Sequence, residues 1–121
     1  MQSAKKKIKS YRFGILSEYL VIWFLRLQGY TITDRRCRTR LGEIDLIARR
    51  GKTLAFIEVK ARKNQENELV HLRQQQRISR SASLLIAKRK EFANLKARFD
   101  VVIVRPWKIP KHIKNAWEYN G

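Results

Sequence analysis

At 121 residues the chain has room for one modest hydrophobic core and not for two. Its 28 Lys and Arg against 10 Asp and Glu give a formal charge of +18, which predicts salt-sensitive attraction to polyanions, nucleic acid above all. The single cysteine, Cys37, excludes an intramolecular disulfide and agrees with a reducing, cytoplasmic setting.

Residues 1–10 (MQSAKKKIKS) read as a flexible basic segment ahead of one domain spanning 11–121. The apolar run from Ile15 to Leu27 follows three lysines but contains Glu18 and Arg26. It is too short to cross a bilayer and lacks a cleavage site, so neither a signal peptide nor a membrane partner is expected. Residues 11–28 are predicted to form a helix ended by Gly29. Leu16, Tyr19, Leu20, Trp23, Phe24 and Leu27 follow helical spacing and form its expected core stripe. Ile15, Val21, Ile22 and Leu25 extend the apolar surface beyond that stripe. Either packing within the protomer or contact with a second copy, a homodimer, would cover it. Residues 30–40 then read as a first strand leading into a basic turn with Arg35, Arg36, Arg38 and Arg40. These arginines suit phosphate contacts, although arginines on an edge strand also guard against aggregation.

The most informative stretch is Gly42 to Arg62, GEIDLIARRGKTLAFIEVKAR, two apolar strands around a turn at residues 49–52. Side chains alternate along a strand, so Leu54, Phe56, Glu58 and Lys60 share one face, and Glu43, Asp45 and Ile47 go together. An even loop pairs Asp45 with Phe56 and leaves it diagonal to Glu58 on the same face. An odd loop without a bulge sends it to the other. Two convergent carboxylates make a hard oxygen site suited to Mg²⁺ (or Mn²⁺), which needs few protein ligands. Lys60 would then orient water or stabilise charge on a phosphorane. The plainer alternative is a Glu58–Lys60 salt bridge on a wet sheet face, with Asp45 one more surface charge.

Beyond a polar loop at residues 63–68, His71 has no partner at a telling spacing and is assigned no catalytic role. Residues 72–90 are predicted as a second helix with Ile78, Ala82, Leu85 and Ile86 inward and a strongly basic remainder. Residues 99–104 read as a central buried strand, with Asp100 paired to an arginine such as Arg98. After Pro106 and Pro110, residues 111–119 are expected to form a short helix whose Trp117 caps the core. A glycine-rich phosphate loop, zinc-ligand spacing and a Ser/His/Asp arrangement are all absent from the sequence. Nucleoside triphosphate hydrolysis and triad hydrolysis are therefore not expected.

GEIDLIA at Gly42 to Ala48 and FIEVKAR at Phe56 to Arg62 resemble the core of the PD-(D/E)XK nucleases, and most closely the YraN-type bacterial family of endonuclease candidates. Gly14, Glu18, Gly29-Tyr30, Gln75, Arg77 and Arg98 to Val102 extend the likeness over roughly residues 11–104. Gln74 departs from the family's usual Lys, Ser17 from a Gly and Ser81 from an Ala. The resemblance implies a restriction-endonuclease-like α/β fold, ordered α-β-β-β-α-β, with a mixed central sheet flanked by helices. It implies a Mg²⁺-dependent endonuclease hydrolysing phosphodiester bonds of DNA rather than RNA, branched or junction DNA among them. Asp45, Glu58 and the Val59 carbonyl would hold the metal, Lys60 would assist the chemistry, and Glu18 would complete the acidic ring. Arg36, Arg38, Arg40, Arg62, Gln75 and Arg77 would contact the nucleic acid. Two rivals stand beside this reading. One is a nucleic-acid-binding protein that keeps the nuclease fold without cutting, the other a module docking a larger assembly.

Overall fold

A computed structural model describes residues 16–62 and 70–119. The basic segment expected at residues 1–10 and the polar loop expected at 63–68 lie outside the described residues. Residues 16–27 are helical (α1), and Gly29, at φ +89°, turns the chain out of the helix in a conformation that favours glycine. Strands β1 (Thr31–Thr39), β2 (Gly42–Arg50) and β3 (Thr53–Ala61) follow as an antiparallel meander. Helix α2 (Leu72–Lys88) and a short 3₁₀ turn, Lys90–Phe92, lead to β4 (Lys96–Val104), and β5 (Lys111–Trp117) completes one five-stranded sheet in sequence order. Among the described strands only β3 and β4 are parallel, and α2 supplies the long crossover that a parallel pair needs.

The sheet separates two apolar clusters, one under each helix. Leu54, Phe56, Val101 and Ile103 pack with Ile78, Ala82 and Phe92 on the α2 side, whereas Ala55, Ile57, Val102 and Val104 pack with Val21, Ile22 and Leu25 of α1. The expected alternation along β3 and the buried centre at β4 both hold.

Two expectations are corrected. The first concerns α1, which faces the sheet with Ser17, Glu18, Val21, Ile22 and Leu25, while Leu16, Tyr19, Leu20, Trp23 and Leu27 point outward. Both faces of this helix are apolar, so periodicity alone does not choose between them. The smaller residues Ser17 and Val21 allow close approach to the sheet. The second concerns residues 111–119, expected as a helix. Residues 111–117 are instead strand β5, whose pairing satisfies the outer edge of β4. Ile113 and Trp117, four apart, fit a two-residue period as well as a helical one. Trp117 does cap the core: it stacks on Phe99 at 5.3 Å and donates from Nε1 to Ser79 Oγ at 2.9 Å.

The turn between β1 and β2 is locked onto α2. The Thr39 hydroxyl donates to the Gly42 carbonyl (3.0 Å), accepts the Leu41 amide (3.1 Å) and meets buried Ser81 Oγ at 2.9 Å. Gly42 has φ +153°, and a Cβ there would lie 2.8 Å from both Cγ and Cδ of Arg77. Gly42→Ala is therefore expected to destabilise the fold by about 1–3 kcal/mol. Urea denaturation checks this, and Arg77→Ala in the same chain should recover part of the loss by removing the clash.

Candidate active site

The β2–β3 turn is the two-residue Gly51-Lys52, with Arg50 opposite Thr53. The even loop is as expected, but the register lies two residues away, pairing Ile47 rather than Asp45 with Phe56. A shift of two preserves the face, so Asp45 still converges on Glu58. The paired ladder runs only as far as Leu46 and Ile57. Past that point the Val59 N–H donates to Asp45 Oδ2 at 2.8 Å. A side-chain carboxylate thus takes a main-chain donor where the strands part.

The same level is irregular on β1. Ile44 and Ile47, three residues apart, both join the α2-side cluster, so the alternation of β2 breaks around Asp45. On β1, Arg36 adopts φ +47°, rare for a side-chain-bearing residue, between the pairs Arg35–Leu46 and Cys37–Ile44. Its Nε lies 3.1 Å from both oxygens of Glu18, and its Nη2 lies 2.6 Å from Oε2. Glu18 is only 8% exposed, and its charge is felt at Asp45. The first-helix acid is thus held by an arginine, near enough for its charge to act on Asp45.

Glu58 is also 8% exposed, and its carboxyl is close enough to that of Asp45 for a proton to be shared between them. Burial, then the neighbouring Asp45 charge, pushes Glu58 up to about 8 against the opposing pull of Lys60. Burial also raises Asp45, reinforced by the charges of Glu18 and Glu43 and opposed by its bonds to Val59 and Glu58. Two adjacent carboxyls that resist ionising together are oxygen donors of the kind a hard cation could take. Among the described residues no three His, Cys, Asp or Glu side chains form a metal-holding group. The donors on hand are therefore the two carboxyls and main-chain oxygen. In an extended strand a residue's N–H and C=O face the same way, so the Val59 carbonyl faces the side on which its N–H meets Asp45. This donor set suits a cation that takes few protein ligands and keeps its water.

Lys60 Nζ stands 3.7 Å from Glu58 Oε1 and donates to Gln74 Oε1 at 3.1 Å. Gln74 in turn donates from Nε2 to Glu58 Oε1 at 3.0 Å. One amide from α2 thereby positions both the acid and the base of the Glu-x-Lys stretch. Gln75, the residue expected here, spends its amide on the Val70 carbonyl at 2.8 Å and anchors the start of α2. The overlooked signal was spacing: Gln74 lies four and eight residues before Ile78 and Ala82, on the buried face of the helix.

The basic residues expected to contact nucleic acid divide by structure. Arg36 is engaged with Glu18. Arg38 reaches Glu43 at 3.2 Å with its side chain 87% exposed, and Arg40 is exposed in the turn. Arg62 donates to the Ala61 carbonyl at 3.1 Å, while Arg77 is exposed against Gly42, three residues from Gln74. Arg73 and Arg80 continue the exposed basic row along α2.

Residues 17–104 match the sequence model of the uncharacterised protein family UPF0102. The chain is similar to a UPF0102 protein of Parvibaculum lavamentivorans, 44% identical over 112 residues that cover 91% of this chain and 84% of that one. It is 43% identical to one from Mesorhizobium japonicum, covering 90% and 89% of the two chains. For a relative in Bartonella bacilliformis the identity is 40%, with 94% and 95% covered.

Proposed function

The chain belongs to the uncharacterised family UPF0102, and on that premise we propose that it is a Mg²⁺- or Mn²⁺-dependent endonuclease of restriction-endonuclease-like type, hydrolysing phosphodiester bonds of DNA. The observation that carries this reading is the buried Asp45–Glu58 pair with Lys60 alongside, at the fork where β2 and β3 part. Asp45, Glu58 and the Val59 carbonyl would hold the ion. When bound, it would polarise the scissile phosphodiester and make a water more acidic. Lys60 would orient the attacking water and stabilise the charge that develops on phosphorus, with Gln74 fixing its direction. The exposed arginines of α2 and of the β1–β2 turn would hold the phosphate backbone against the fork.

The α-β-β-β-α-β order, followed by β5, and the mixed sheet agree with the proposed fold type. The formal charge of +18 agrees with a polyanionic substrate. The test is incubation of labelled linear, single-stranded, flap and four-way-junction DNA with Mg²⁺, with Mn²⁺ and with chelator. Cleavage that needs the divalent ion is expected, and the relative rates rank the substrates. Tight binding to all four without cleavage under either metal would leave a nucleic-acid-binding protein in place of an enzyme.

A further inference from the structure

The outward face of α1 has no role in the proposed site. Leu16, Tyr19, Leu20, Trp23 and Leu27 are 61%, 48%, 55%, 61% and 85% exposed, all on one side of the helix. Their i, i+3, i+4, i+7, i+11 spacing forms a continuous ridge of the kind that packs against another helix. Large apolar side chains left in water at this density mark an interaction surface.

We propose that this ridge is the interface of a homodimer, in which α1 packs against α1 of a second copy. The area supports that occupant. Five side chains of this size, about half or more exposed, present on the order of 500 Å² per copy, so a symmetric contact removes on the order of 1,000 Å², enough for a specific interface. The chemistry is self-complementary, since none of the five carries a charge and the same ridge can serve both partners of a two-fold. Arg26 and Arg35 lie over the rings of Trp23 and Tyr19 at 5.3 and 5.0 Å, so two guanidinium groups accompany the ridge. The same helix turns Glu18 inward towards Asp45, so the seam would fix two acidic sites within one assembly. The inference does not depend on cleavage, because it concerns metal-free protein without nucleic acid.

Sedimentation velocity on the full chain, from about 1 to about 100 µM, decides it. The wild type should form a dimer that dissociates on dilution. Salt should strengthen it by screening the repulsion between two copies of charge +18, whereas salt would weaken docking to an acidic surface. Leu20→Glu and Leu27→Glu should each weaken association on the order of 100-fold, with melting temperature unchanged at dilutions where the wild type is monomeric, because both positions are exposed in the protomer. Leu27, the more exposed and in the last turn of α1, decides the matter if Leu20→Glu perturbs folding. A wild type that stays monomeric throughout the range overturns the proposal, as does a dimer that survives both substitutions. Flotation of a monomer with vesicles of anionic phospholipid would also overturn it, assigning the ridge to a membrane surface.

Discussion

Asp45→Ala is expected, on the proposed nuclease reading, to lower metal-dependent DNA cleavage by on the order of 100-fold or more, since Asp45 would be a direct ligand, worth at least what an outer partner of a metal site is. DNA binding should persist, because the exposed arginines of α2 and of the β1–β2 turn are untouched. Lys60→Ala should also abolish turnover without loss of binding. Glu58→Gln separates this reading from a purely structural carboxylate. Its acid is raised from 4.5 to about 8 by burial and by the Asp45 charge. A raised carboxyl favours the protonated folded state, so its contribution is full below 4.5 and is lost as pH climbs through about 8. Above that pH, metal-free Glu58→Gln should be more stable than wild type, by on the order of 3 kcal/mol, while cleaving far less. Adding Mg²⁺ should raise the melting temperature of the wild type and leave that of Glu58→Gln nearly unchanged. A Glu58→Gln protein that is less stable at alkaline pH, or that still cuts, would mean that Glu58 serves only the fold.

The largest stability effect is expected at Asp100. Its carboxylate is wholly buried and receives Arg98 Nε and Nη2 at 2.8 Å each, His112 Nε2 at 2.8 Å and the Asn115 N–H at 3.0 Å. Arg98 also donates to the Tyr30 hydroxyl at 2.6 Å, which ties the loop after α1 into the network. Asp100→Ala would leave the Arg98 and His112 side chains, 19% and 5% exposed, without their acceptor. The expected cost is about 3–5 kcal/mol, read as a lower urea midpoint. Burial alone would raise the Asp100 carboxyl, but the bonds from His112, Arg98 and Asn115 outweigh it and hold it below its ordinary 3.8. A depressed carboxylate contributes stability above that value and loses it as acid titrates the folded state. The wild type should therefore lose stability below about pH 4, and Asp100→Ala should show little of this slope.

The corrected helix α1 shows why one part of the site was legible and another was not. A helical wheel groups Glu18 with Val21, Ile22 and Leu25, so an inward Glu18 requires that face to meet the sheet. The competing stripe of Leu16, Tyr19, Leu20, Trp23 and Leu27 has equally good spacing and larger side chains, and hydrophobicity alone favours it. Similarly, Gln74 and Gln75 are indistinguishable by composition. Spacing puts Gln74 on the face of Ile78 and Ala82, and the docking of α2 then decides which groups it reaches, Glu58 and Lys60, while Gln75 turns to Val70.

The sequence by itself determined the strand pair, its glycine turn, the shared face of Glu58 and Lys60, and the buried character of β4, because these follow from a two-residue period and turn chemistry. It also determined the family, through GEIDLIA and EVKAR. Tertiary structure alone decided that β2 and β3 part beyond Leu46 and Ile57, leaving the Val59 N–H to Asp45. It alone decided that Arg36 turns left-handed to hold Glu18, and that residues 111–117 pair with β4 instead of coiling. Each of these satisfies a backbone donor or a buried charge with a partner distant in sequence, and no local pattern encodes that partner.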